Sequence, residues 1–188
     1  MNNRFTATIS ATNGELSAVF ARLDESPFDR LLVAIEKAKK IACFGAGREG
    51  LVLRALAMRL FHLGYDVAVV GDMTAPHLGP GDLLLLSAGT GFFYTGDGMR
   101  QIAQAAGAKV FCLTAQPEGR IPRNSDDYLD LPAQTMASDQ GERKTSALPM
   151  GSLFELAQFL LGELIVLELM RRNRITAEAA RARHTNLE

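Results

Sequence analysis

Leu83-Leu84-Leu85-Leu86-Ser87-Ala88-Gly89-Thr90-Gly91-Phe92-Phe93-Tyr94-Thr95 is the stretch that decides the fold. Four leucines between Asp82 and Ser87 show no polar alternation, so they predict a strand buried on both faces, as in a parallel sheet. Small and hydroxyl residues follow, and then a helical pattern over 99–106, whose beginning Gly96 and Gly98 obscure. Backbone amides, hydroxyls and a helix N-terminus brought together in this way surround an anion such as phosphate. A similar strand, glycine loop and helix occur at 41–63. Two such loops at the C-terminal edge of one sheet make a small-ligand crevice at a topological switch point.

Outward from this stretch, strands and helices alternate. Strands are expected at Ile41–Phe44, 67–70, 83–86, Lys109–Thr114 and 128–131. Between them, Gly47–Leu63 reads as a helix stopped by Gly64, and 117–125 as a loop or short helix. Residues 4–39 read as a helical arm in which Asn13 or Asp24 begins a helix. The longest helix is expected over 149–172 and a short one over 176–183, with a polar, irregular 132–146 before them. The fold class is α/β: a three-layer α/β/α sandwich around a parallel sheet. The chain reads as one domain, 1–188, divided into an arm (1–39), a core (40–172) and a C-terminal helix and tail (173–188).

With 188 residues, 47% of them hydrophobic, the chain can bury one substantial core. A net charge of -1 excludes bulk attraction to nucleic acid or to an anionic membrane. The arginines at 171, 172, 174, 181 and 183 lack interleaved aromatics and read as a solvated or subunit-facing surface. The glutamates at 155, 163 and 168 interrupt the apolar 153–170, which argues against a membrane span. The first residues lack a signal-peptide core, and Cys43 and Cys112 read as core thiols of a reducing, cytoplasmic compartment. Three scattered histidines offer no metal-ligand spacing.

Gly45-Ala46-Gly47-Arg48-Glu49-Gly50 fits G-x-G-x-x-G, with Asp72 after the second strand as a ribose-binding acid would be. A dinucleotide enzyme is nevertheless disfavoured. The chain has little room for a catalytic domain, Arg48 suits a compact phosphate better than a pyrophosphate held by amides, and the loop at Ser87 would have no role. The reading that remains is a sugar-phosphate site without a cofactor.

Gly45-Ala46-Gly47-Arg48, Ala57-Met58-Arg59-Leu60, His62-Leu63-Gly64 and Val69-Val70-Gly71-Asp72 resemble the sugar isomerase (SIS) domain family. Pro149-Met150-Gly151-Ser152-Leu153-Phe154-Glu155 and the tail Arg183-His184-Thr185-Asn186-Leu187-Glu188 sharpen the resemblance towards its hexulose-phosphate isomerase branch. It covers about residues 30–188. It implies a five-stranded parallel sheet, a homotetramer or dimer, and metal-free interconversion of 3-hexulose 6-phosphate and fructose 6-phosphate. An isomerase on another ketose phosphate and a non-catalytic sugar-phosphate-binding regulator are the alternatives. Two departures stand out: the third-strand loop is longer and carries three aromatics, and Glu49 stands where the family usually has Ser.

Moving a carbonyl along a sugar through an enediol needs a base, a group that steadies the oxyanion, and a clamp on the phosphate. Glu155 is the expected base, early in a helix rich in Leu and Phe. The residues alone leave a capping box from Ser152 to Glu155 equally open, unless Pro149 opens the helix and carries Glu155 beyond capping reach. The family motif favours the base. The resemblance alone brings in His184, as an acid/base assistant in its own or a neighbouring subunit's site. Ser87, Thr90 and Thr95 are expected phosphate ligands, with Gly89 letting the backbone approach. Gly47 and Arg48 meet the substrate from the first loop. Ser87 and Thr95 serve equally well as caps of a strand end and a helix start.

Overall fold

In the computed structural model, which describes residues 3–187, the β-strands pair into one all-parallel sheet. They are β1 (Ile41–Phe44), β2 (Val67–Val69), β3 (Leu83–Ser87), β4 (Lys109–Thr114) and β5 (Asp127–Asp130), in the order β2-β1-β3-β4-β5. The chain leaves β1 towards one edge and returns from β3 towards the other, so the loops after β1 and β3 diverge and open a crevice. Met1, Asn2 and Glu188, the last residue of the tail motif, lie outside the described residues.

The leucine run behaves as its pattern requires. Leu83 and Leu85 join the core formed by α2 (Glu25–Lys37), α3 (Gly47–Leu63) and α6 (Ser152–Asn173). Leu84 and Leu86 face the other way, to Ala103 of α4 (Tyr94–Ala105) and Ile121 of α5 (Arg120–Asn124). None of the four is more than 2% exposed. Side chains alternate along a strand, so only a sheet covered on both faces satisfies all four, at about 2 kcal/mol per leucine. Cys43 of β1 and Cys112 of β4 are buried free thiols in strands separated by β3, and burial pushes Cys43 up to about 12.

Helix boundaries follow local chemistry. Gly64, at φ 99°, closes α3 by donating to the carbonyls of Leu60 and Phe61. The arm is α1 (Arg4–Phe20) and α2; Asp24 caps α2 as expected, but Asn3 caps α1 and Asn13 lies inside it. α4 begins at Tyr94, earlier than its sequence suggests. Gly96 is not a break: the Phe93 ring lies 2.4 Å from where its Cβ would be, so the missing side chain lets that ring pack under the first turn. Around the irregular 132–146, Glu15 of α1 accepts from Ser146 Oγ and Ala147 N. A short α7 (Ala177–Arg181), capped by Thr176, packs on α3.

Candidate active site

The site is built where three segments meet. The loop after β1 leads into α3, whose first residue, Gly47, has φ +56°, a conformation that favours glycine, and whose first turn carries Arg48 and Glu49. Gly50 allows that turn to lie against the loop: a Cβ there would stand 2.2 Å from the carbonyl oxygen of Gly45. The glycine fingerprint is therefore explained by loop-to-helix packing, and Asp72 is paired with Arg54 at 3.1 Å.

The third segment is the start of α6. Gly151 is its N-cap, without a side-chain cap bond, and Ser152 is its first residue. This disposes of both expected helix starts: Ser152 is too far in to cap, and Pro149 stands outside. Ser152 Oγ instead accepts from Arg48 Nη1 at 3.1 Å, and Glu155 Oε2 lies 2.9 Å from Arg48 Nε. Glu155 retains 15% side-chain exposure, whereas Arg48 retains 62%. The guanidinium thus spans the crevice in the open while the carboxylate sits at its wall. A hollow of about 180 Å³ beside them is lined by Arg48, Leu51, Val52, Glu155, Leu156 and Phe159.

The β3 loop supplies the floor. Ser87 is fully buried, and its Oγ donates to Glu49 Oε2 at 2.5 Å; Gly89 N donates to the same oxygen at 3.0 Å. Burial first, and the charge of Glu155 in addition, hold the Glu49 carboxyl above its ordinary value, against the two hydrogen bonds that lower it. Glu49 had no assigned role in the sequence; its signals were an acid next to Arg48 in a glycine loop and its standing where the family usually has Ser. Thr90 Oγ1 donates to the carbonyl of Phe92, and Thr95 is exposed in the first turn of α4. Among the three aromatics, Phe93 packs against Phe44, Phe92 lies under Arg120, and Tyr94 is exposed. Arg120 also pairs with the buried Asp97 at 2.9 Å, which ties the loop to α5. Burial works against that carboxyl, but Arg100 and Arg120 together hold it below its ordinary value.

The structure brings Gly47, Arg48, Ser87, Gly89 and Glu155 to one crevice through direct contacts and shared loops. It does not bring His184 there. The His184 ring lies 5.1 Å from His62, near the far end of α3. Fourteen residues separate Arg48 from His62, roughly 21 Å of helix at 1.5 Å per residue. His184 lines a second hollow of about 250 Å³ with Arg59, His62 and Arg181. His77 borders an apolar groove with Leu78 and Met99, away from these groups. Among the described residues, no group of three or more His, Cys, Asp or Glu side chains is placed to hold a metal ion, and no helix is long and apolar enough to cross a membrane.

A five-stranded parallel sheet with its ligand crevice between the β1 and β3 loops defines an SIS-type phosphosugar isomerase fold. A protein from Methanococcus jannaschii, whose crystal structure is described as inferring a molecular function of 3-hexulose-6-phosphate isomerase, superposes with a TM-score of 0.83 at 28% identity, over 96% of this chain and 98% of that one. The 3-hexulose-6-phosphate isomerase of Bacillus subtilis is 34% identical over 179 residues, 93% of this chain and 94% of its own length. That of Mycobacterium gastri is 34% identical over 183 residues, 97% and 91% respectively. The chain belongs to the 3-hexulose-6-phosphate isomerase family. No family model matches it.

Proposed function

We propose that the protein interconverts 3-hexulose 6-phosphate and fructose 6-phosphate through a shared enediol. The observation that carries this reading is the meeting of Glu155 and Arg48 across the crevice, beside a hollow whose other walls are Leu51, Val52, Leu156 and Phe159. Glu155 takes the proton from C2 of the 3-ketose and returns it to C3. The electron pair moves from the C–H bond through the enediol into the new carbonyl, so no electron acceptor is needed. A hydroxyl proton must pass between O2 and O3 in the same step, which calls for a second acid/base group. Arg48 fixes Glu155 and offers its remaining N–H donors to substrate oxygen. Gly47, Ser87, Gly89, Thr90 and Thr95 line the loops against which the phosphate end docks.

The second group is His184 of a neighbouring subunit. Several observations support a shared site. α6 buries Leu153, Leu161, Ile165 and Leu169 in the core, yet Leu156, Phe159, Leu160, Leu164 and Leu167 form an exposed stripe, with Leu167 62% exposed. Leu51, Met58 and Phe61 of α3 are exposed as well. An apolar surface of this extent marks a partner interface, and the Arg48–Glu155 hollow shares Leu51, Leu156 and Phe159 with it. A second copy on this face, in a dimer or a homotetramer, completes the site with its tail. The buried free cysteines suit a cytoplasmic enzyme.

The test is proton exchange with fructose 6-phosphate in heavy water, followed by NMR. Deuterium entering C3 while 3-hexulose 6-phosphate forms is the expected result. Without exchange or product, the reaction is a different one.

A further inference from the structure

The two donors best placed to hold an anion in the β3 loop are already engaged. Ser87 Oγ and Gly89 N both point at Glu49 Oε2, at 2.5 and 3.0 Å. The space beside Gly89 is closed as well. A Cβ at residue 89 would stand 2.8 Å from Glu49 Oε1 and 2.7 Å from the ring of Phe154. The cradle is filled by a carboxylate on one side and by a core phenyl ring on the other.

The surroundings of Glu49 do not neutralise it. Arg48, its neighbour on α3, directs its guanidinium to Glu155 and Ser152. Glu155 from α6 adds a like charge, and from β4 Cys112 presents a buried thiol whose ionisation Glu49 disfavours. An oxyanion held by a hydroxyl and a backbone amide in a buried loop is the arrangement a bound phosphate would adopt. Two anions cannot share these donors, since like charges repel strongly where water is excluded.

We propose that Glu49 is a built-in occupant of the Ser87–Gly89 cradle that keeps phosphate off these two donors and so sets the register in which a sugar phosphate binds. The inference rests on the sugar-phosphate reading above. It assigns Glu49 to specificity: a substrate whose phosphate needs the cradle is rejected, and one whose phosphate docks further along the loop is accepted.

Calorimetric titration with inorganic phosphate, comparing the wild-type protein with Glu49→Ser and Glu49→Gln, tests it. Glu49→Ser empties the cradle, and its phosphate Kd falls roughly tenfold or more. Glu49→Gln keeps the shape without the charge and gives a smaller gain; it also stands in should the serine variant not fold. A crystal of Glu49→Ser grown with phosphate shows the ion on Ser87 and Gly89, where the wild-type crystal shows Glu49. Equal phosphate affinity in all three proteins overturns this inference and leaves the isomerase reading standing. Binding of neither phosphate nor fructose 6-phosphate by any of them overturns both.

Discussion

Arg48 Nε lies 2.9 Å from Glu155 Oε2, which joins the first turn of α3 to the first turns of α6 across the mouth of the crevice. The arginine is largely exposed, so as a stabilising ion pair the contact is worth little, about 1 kcal/mol or less. Its consequence is positional. One guanidinium donates to Ser152 Oγ and lies as an ion-pair partner beside Glu155, which sets the position of the carboxylate proposed above as the base.

Glu155→Gln keeps the shape of that contact and removes the carboxylate proposed as the base. Steady-state kinetics with fructose 6-phosphate should show kcat falling roughly 10³-fold with KM changed little. A variant that retains wild-type turnover would leave Glu155 a purely structural partner of Arg48.

A shared site makes a prediction that a self-contained one does not. Glu155→Gln and His184→Asn should each be nearly inactive alone. Dissociated, mixed and reassembled, they should recover a fraction of wild-type activity, because some crevices then combine an intact Glu155 with an intact His184. Mixtures no more active than their components would place both residues' function within one chain.

The exposed stripe on α6 offers an independent measurement. Leu167→Glu puts a charge on the face assigned to subunit contact while staying clear of the crevice residues. In sedimentation velocity the variant should shift to a smaller species, with activity lost in step. An unchanged sedimentation coefficient would assign this face no part in assembly.

Glu49 gives stability an unusual pH dependence. Its folded-state carboxyl is raised, by burial first and by Glu155 in addition, so the native chain binds this proton more tightly than the unfolded chain. The contribution is fully present below the ordinary value of 4.5 and is lost as pH rises through the folded value. Glu49→Gln removes the loss. Calorimetry should find its Tm above wild type at pH 7, with the gap closing towards pH 4. A gap independent of pH would show that ionisation of Glu49 costs the fold nothing.

Local pattern was enough for the scaffold. The unbroken leucines at 83–86 demanded a doubly covered strand, and Gly64 marked a helix end because only a residue tolerant of positive φ closes a helix there. The G-x-G-x-x-G loop was legible as a loop, and the short chain, Arg48 and the second loop at Ser87 carried its meaning away from dinucleotides. Arg48 and Glu155, 107 positions apart in the chain, were each legible as polar residues beside a glycine-rich segment.

Their meeting was not. Which residue opens α6 depends on how the preceding loop packs, and this is what turned Ser152 from a cap into a partner of Arg48. The occupant of the Ser87–Gly89 cradle could not be read locally either, since Glu49 reaches it from another strand's loop across the sheet edge. The tail's motif named His184, but a motif has no position, and in the folded chain the residue rests on His62 at the other end of α3. Periodicity and turn chemistry act over a few residues, so the sequence determines which elements form and which faces they bury. Which charges end up face to face is decided only when the sheet order brings distant loops to one edge.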